Sequence, residues 1–329
     1  MRILHGVIEI AGQMGILSGA LKRRGHISVG YNTFHTYLGY KEHLINTVGW
    51  ELEKVSHHLI NFFDIFHFHY ASSLMTNYAD LPLIKAKGKK MIMHHWGNDV
   101  RFHDQARVNN PYVYTGDSLP NEVMHQKLAS ISPYIREAIV QDYEVLPYVE
   151  PYYDKVHVLP IAIELAPFVP HYPSEYKQQP LILHAPTNPA FKGTEHVERA
   201  LLRLKGEFDF QYRRIENMNH QQARQLYQEA DIIIDQILCG SYGLLSVESM
   251  ALGKPVVAYI RGDLVSRFPA DLPIVNANPD TIYEQVKRLL QQPHLRRQLG
   301  IQGRQYVEKY HDSNVVAEKL IGIYQNLRP

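Results

Sequence analysis

The stretch GSYGLLSVESMALGKPVVAYI, residues 240–260, sets one carboxylate, Glu248, between a loop glycine and a sharply ended apolar helix. A glycine loop leading into a helix presents backbone amides with no intrahelical partner, so this edge suits an anion or another polar ligand. Histidines form the second candidate group. His67 and His69 alternate on a strand-like run and so share one face, and His94 and His95 end the next such run. A zinc site on these residues is conceivable. Yet the chain's 19 histidines are spread without a ligand-spaced cluster, and strand-end histidines commonly just hydrogen-bond, so the expectation is no metal. A third group is cationic: KAKGKK at residues 85–90, with Lys22, Arg23 and Arg24, offers a basic face to anionic lipid headgroups. Cations beside Gly25 and Gly88 are also ordinary helix C-terminal chemistry, and that reading carries more weight.

The elements that must position these residues alternate along the chain. Short apolar runs at residues 2–8, 26–31, 64–69, 90–95 and 128–132 have the length of buried parallel strands. Between them lie helix-like segments such as 15–24, where Ile16, Leu17, Ala20 and Leu21 recur at helical spacing. Residues 160–180 then carry five prolines, poor helix material and a natural domain boundary. Strand runs resume at 181–184, 208–213, 231–237, 255–260 and 272–275. Helical runs fall at 195–205, 219–229, 245–252, 280–291, 294–310 and 313–326. This βαβα grammar, twice over in 329 residues, predicts an α/β protein of two Rossmann-like domains. Two such domains facing each other across a cleft would bind a ligand at the carboxyl ends of their strands.

Composition narrows the partners. Lys plus Arg number 34 against 33 Asp plus Glu, a net charge of +1, which excludes a basic nucleic-acid binder and an acidic tail. The single cysteine, Cys239, excludes an internal disulfide framework and a thiolate metal cluster. The opening MRILHGVIEIAG runs straight into a strand-like segment, without the cationic, long-apolar, small-residue order of a secretory leader. No stretch approaches the roughly 18 consecutive apolar residues that span a bilayer. The expected location is the cytoplasm, with contact at the inner face of the membrane left open.

Taken with its flanks, DIIIDQILCGSYGLLSVESMALGKPVV resembles the nucleotide-sugar signature of GT-B glycosyltransferases, specifically glycosyltransferase family 4. In that family an acidic pair is spaced Glu-x7-Glu ahead of a short helix and a Gly-x-Pro-Val-Val strand. MRILHG with its glycine loop and LKRRGH resembles the family's first strand and helix. ASISPYIREAI, KVHVLPIAIELAPF and LILHAPTNPAFKGTEH resemble later segments in the right order, the last being a phosphate-gripping loop. The likeness covers nearly the whole chain.

The resemblance implies a GT-B fold with an acceptor-binding domain at 1–165, a nucleotide-sugar-binding domain at 166–312, and a C-terminal helix at 313–329 crossing back to the first domain. It implies a retaining, metal-independent hexosyl- or N-acetylhexosaminyltransferase. No cofactor is implied beyond a nucleotide diphosphate sugar, most simply a UDP-sugar, as co-substrate. The acceptor would be a glycan or a lipid-linked sugar in cell-surface polysaccharide synthesis. Lys192 would meet the diphosphate as a point charge, and Gly12 and Gly15 would let backbone approach it. Glu248 would accept hydrogen bonds from the ribose diol. Gly240, Tyr242, Gly243, Leu244 and Leu245 would lie against the diphosphate or sugar. His94, His95 or the position held by Trp96 would face the donor sugar and orient it, the register staying open, with Asp99 and Arg101 as nearby polar candidates for the acceptor or donor sugar.

Three departures from the family pattern bear on catalysis. Gly240 stands where the first acid belongs, Pro186 and Thr187 occupy the neighbourhood of an arginine that precedes the phosphate lysine, and Ile161-Ala162 replaces Asn-Gly near the hinge. Asp235 is a candidate replacement carboxylate, and Arg213 or Arg214 a replacement cation. The same departures fit a non-catalytic partner subunit that keeps the fold, and a nucleotide-sugar epimerase is a further alternative.

Overall fold

The computed structural model describes residues 1–329. In chain order the elements begin with β1 (Arg2–Val7), α1 (Gln13–Arg23), β2 (Ile27–Asn32), β3 (Leu44–Asn46), α2 (Gly49–Phe62), β4 (Ile65–His69) and α3 (Asp80–Ala86). There follow β5 (Lys90–His95), α4 (His103–Asn109), α5 (Asn121–Ile131), β6 (Glu137–Val140), α6 (Leu146–Val149) and β7 (Lys155–Val158). The second half holds β8 (Leu181–His184), α7 (Pro189–Lys192), α8 (Thr194–Leu204), β9 (Gln211–Arg214), α9 (His220–Glu229) and β10 (Ile232–Ile234). It continues through α10 (Leu244–Ala251), β11 (Val256–Ala258), β12 (Val275–Asn276), α11 (Ile282–Gln291), α12 (Pro293–Tyr310) and α13 (Ser313–Asn326).

The chain divides into two compact units. One comprises residues 1–105, 118–162 and 313–329; the other comprises 106–117 and 163–312. The short segment 106–117, which the sequence reading assigns to the first domain, belongs to the second unit. Its anchor is Asn110, whose side-chain amide donates to the carbonyls of Leu238 and Cys239 at 2.8 and 3.0 Å.

In the first unit a seven-stranded sheet runs β3-β2-β1-β4-β5-β6-β7, every pair parallel. Strand alternation sends Ile3, Ile65, Ile92 and Ile139 to one face. There Leu17 and Leu21 of α1 and Val316, Leu320 and Tyr324 of α13 cover them, all at most 2% exposed. The C-terminal helix is therefore core of the first unit, with Lys90 Nζ donating to its Tyr324 carbonyl at 3.1 Å. Residues 128–132, read from sequence as a strand, lie at the end of α5. Met124, Leu128 and Ile131 recur at spacings of four and three, and all three are fully buried on one helical face, so the helical period prevails over the short apolar run.

The second unit is a five-stranded parallel sheet, β12-β11-β10-β8-β9. Its core gathers Ile182, Ile232, Ile234 and Val257 from strands against Val197, Leu201 and Leu204 of α8 and Val286 and Leu289 of α11. The helices are amphipathic at the 3.6 period the sequence shows, and α8, α9, α11, α12 and α13 lie within a few residues of their expected bounds. Leu320 is fully buried at the centre of the apolar layer beneath α13. Leu320→Ala is expected to destabilise the first unit by about 2–5 kcal/mol through lost burial and a residual cavity, measured by urea unfolding.

Candidate functional site

In the second sheet the chain order reverses at β8 and β10, and the loops leaving the carboxyl ends of such strands flank a natural binding crevice. The loop after β8 carries Asn188, whose side chain caps α7 by accepting from Phe191 N at 3.1 Å. That short helix delivers Lys192. The loop after β10 begins with Asp235, fully buried, and ends where Gly243 opens α10.

Asp235 gathers both loops. One carboxylate oxygen meets Lys192 Nζ at 2.7 Å; the other accepts from Ser246 Oγ at 2.6 Å, Ser246 N at 3.2 Å and Gly243 N at 3.3 Å. Lys192 Nζ also donates to Gln236 Oε1 at 2.8 Å, and Gln236 in turn donates to the Ser241 carbonyl at 2.5 Å. Burial pushes the Asp235 pKa up. The Lys192 charge and hydrogen bond, with those of Ser246 and Gly243, outweigh it and hold the group below the usual carboxylate range. The lysine expected at the phosphate thus already has a counter-ion, and an anionic ligand reaching it must share Lys192 with Asp235. A Cβ at Gly243 would lie 3.5 Å from Lys192 Nζ, which places that loop glycine directly beside the cation.

Glu248 lies in the second turn of α10, its side chain 5% exposed. Oε1 is bonded to Nε2 of His220, the first residue of α9, which Asn219 caps by accepting from Gln222 N at 2.9 Å. The second oxygen of Glu248 makes no hydrogen bond within the chain. Burial works against charge on His220. The hydrogen bond to Glu248 and its charge prevail over burial and the repulsion of Arg224, and the net pKa is raised.

Gly240 has φ +91°, in the left-handed region, and a Cβ there would press Arg261 Cβ at 3.1 Å and Asn110 Nδ2 at 3.3 Å. A glutamate at this position would therefore be strained in this loop. Tyr242 is buried, its hydroxyl 3.0 Å from His311 Nε2 and 3.3 Å from Tyr306, so it ties the loop to α12. Leu244 is half-buried at the start of α10, and Leu245 is buried. Arg213 and Arg214, the candidate replacement cations, are engaged elsewhere, with Glu229 at 2.9 Å and Glu216 at 2.8 Å.

In the first unit His95 is fully buried with both ring nitrogens occupied: Nδ1 meets Asp99 Oδ2 at 2.7 Å and Nε2 meets the Tyr153 hydroxyl at 2.8 Å. Asp99 uses its other oxygen to accept from Trp96 N and Gly97 N, both at 3.0 Å. This pair shapes the loop after β5. His94 points to the opposite face, where a histidine ladder runs across three strands. His5 Nδ1 and His69 Nε2 are 3.2 Å apart, as are His67 Nε2 and His94 Nδ1; His67 Nδ1 meets Tyr324 Oη at 2.6 Å, and Trp96 Nε1 donates to His69 at 3.2 Å. Burial is the leading cause that lowers the pKa of all four histidines, His5 to about 3, so the ladder is neutral. His5, His67 and His69 place three nitrogens within 4.8 Å of one another. Yet the rings of His67 and His69 stack at 13° with centroids 4.4 Å apart. A ligated metal lies in the plane of each imidazole that holds it, and near-parallel stacked rings do not converge on one point.

Gly12 caps α1 with φ +76°. Gly15 lies within that helix, where a Cβ would stand 2.5 Å from the Glu42 carbonyl oxygen, so close packing alone requires glycine. The amides of Met14 and Gly15 are taken by the Glu9 carboxylate at 3.2 and 3.1 Å. Burial raises Glu9 to about 8 against the pull of those amides. The N-terminus expected to receive a phosphate already holds an acidic side chain. Sequence reasoning missed Glu9, Gln236 and His220. Glu9 carried a signal, an acid just ahead of a glycine-opened helix; His220 carried none, being 28 residues from its partner.

Residues 189–322 match a family model described as glycosyl transferase-like. No curated protein matches the chain by sequence. Among solved structures, a glycosyltransferase from Rickettsia africae is similar at 17% identity and TM-score 0.67, covering 98% of this chain and 97% of its own. Anabaena HepE in complex with UDP is similar at 10% identity and TM-score 0.68, covering 99% and 100%. A trehalose-6-phosphate synthase studied for glycosyl transfer with retention is similar at 12% identity and TM-score 0.64, covering 100% and 99%. These likenesses show the fold, which is of the GT-B type.

Asp235→Asn leaves Lys192 half-buried beside a neutral amide and sets an NH2 group against amide donors, an expected loss of about 3–5 kcal/mol in the second unit. Because the folded pKa of Asp235 is depressed, its contribution is present above the unfolded carboxylate pKa and is lost as pH falls through the lower folded value. Acid titration of stability by circular dichroism should show that step in the wild type and a weakened one in the variant.

Proposed function

We propose that the chain is a glycosyltransferase that takes a hexosyl or N-acetylhexosaminyl group from a UDP-sugar and transfers it, with retention and without a metal, to a glycan or lipid-linked acceptor. The carrying observation is the cluster at the ends of β8 and β10. Within the region matched by the glycosyl transferase-like model it puts a lysine at the end of α7, a glycine that opens α10 and, in the second turn of α10, a carboxylate with one unpartnered oxygen. The UDP complex of HepE, a structure of similar fold, supports uridine as the base.

In this reading the diphosphate lies over Gly243 and α10, and Lys192 turns part of its charge from Asp235 to the phosphate oxygens. Positive charge at that place is worth most as the glycosidic bond breaks, because the leaving diphosphate then gains negative charge. Asp235 is a positioning group: it holds Lys192 against the start of α10, so little reorganisation accompanies the reaction. Glu248 accepts a ribose hydroxyl through its free oxygen. The departing phosphate takes the acceptor proton. In this scheme His95 and Asp99 shape the loop after β5.

A specific observation favours a second reading, a partner subunit that keeps the fold without turnover. Gly240 cannot be exchanged for an acid without strain, and Lys192 is neutralised by a buried carboxylate. Donor turnover separates the two readings.

Ligand at about 100 times its dissociation constant stabilises a folded protein by about 2.7 kcal/mol, enough for a clear rise in melting temperature. UDP is expected to raise the wild-type melting temperature, whereas GDP, CDP and ADP raise it less. Glu248→Ala and Lys192→Ala should each weaken UDP binding severalfold in calorimetric titration while the protein stays folded. Unchanged affinity in both variants removes the site.

A further inference from the structure

Glu248 has one partner in the chain. Its side chain is 5% exposed, its Oε1 is bonded to His220 Nε2, and its Oε2 is left without a hydrogen bond. No lysine or arginine is paired with it. His220 starts α9 and Glu248 lies in α10, so one contact between two helices decides where the carboxylate points. The charged groups that bear on His220 are Glu248, facing it from α10, and Arg224, one turn along its own helix. The ring is 25% exposed, so its proton exchanges with solvent.

We propose that His220 is a positioning residue for the donor: its protonated imidazole holds Oε1 of Glu248, fixing the carboxylate with Oε2 presented to a ribose hydroxyl of the nucleotide. This rests on the reading of Glu248 as the ribose acceptor. A carboxylate without that clamp must order a flexible side chain when the ligand arrives, and a buried anion covered by a sugar has no other counter-charge. The imidazolium supplies both order and charge in a single bond. The neutral ring donates a weaker bond, and its other tautomer turns a lone pair toward the carboxylate.

Donor affinity is therefore greatest while His220 is protonated and falls as pH rises through its folded pKa. That pKa lies above the ordinary histidine value because the bond and charge of Glu248 outweigh burial and Arg224. His184, also in this unit, is lowered to about 4, with burial as the leading cause, and does not titrate in the same range.

The test is calorimetric titration of UDP-glucose, whose diphosphate diester keeps its charge, from about pH 5.5 to about pH 9, which brackets histidine titration. Wild type should lose about fivefold in affinity across this range, the difference between a charge-assisted and a neutral hydrogen bond. His220→Gln, with a neutral donor, should bind at the weaker level throughout with the step removed. His220→Asn serves as the second variant should Gln disturb folding. A wild-type profile that is flat or rises with pH overturns the inference, as does a step that survives in both His220 variants. In either case, if Glu248→Ala still weakens binding severalfold, the ribose assignment stands. Wild type that binds no UDP-glucose at any pH removes the assignment and the inference together.

Discussion

A single buried carboxylate, Asp235, holds together the loops that follow β8 and β10 in the second unit. It stands where β10 ends and gathers the Lys192 ammonium, the Gly243 amide, and the amide and hydroxyl of Ser246. An unpaired charge at full burial would be costly, and the lysine, amides and hydroxyl offset that cost only when both loops close on it. The fold and the site are thus one condition. If the α7 loop moves away, Asp235 loses its counter-ion; if α10 shifts, it loses its helix-end donors.

The first unit meets a parallel demand by a different route. Its sheet places polar rings, rather than a charge, in the core between β1, β4 and β5. They survive burial by staying neutral and bonding to one another, to Trp96 and to Tyr324 of α13. The C-terminal helix is held there by apolar packing and by the Tyr324 hydroxyl. Chain returning to the unit where it began makes that unit's stability depend on its last residues, since Val316, Leu320 and Tyr324 are fully buried.

Much of this was legible in sequence, for identifiable reasons. Two sets of alternating strands and helices, a proline-rich joint and helical periods at 294–310 and 313–326 are local patterns, and each has its counterpart in the structure. The strand at 128–132 misled because five apolar-rich residues look the same in a strand and at a helix end. Lys192, Gly243 and Glu248, the candidates that sequence offers, lie on the segments that follow β8 and β10. Their partners were not legible. Lys192 meeting Asp235 and Glu248 meeting His220 are contacts across 43 and 28 residues, and no spacing rule announces them. Gly240 illustrates the same limit. In sequence it is a missing acid, whereas in the fold it is a left-handed turn where a side chain would strike Arg261.

In the proposed enzyme the Asp235–Lys192 pair serves a reaction as well as a fold. The measurement that bears on it most directly is release of UDP from UDP-sugars by the purified chain without acceptor, followed by phosphorus NMR over hours. Slow release from one UDP-sugar, lost in Lys192→Ala, is what the account predicts. A UDP-sugar that binds tightly and is never cleaved, with or without added glycans, would contradict it and leave a nucleotide-binding partner subunit in place of an enzyme.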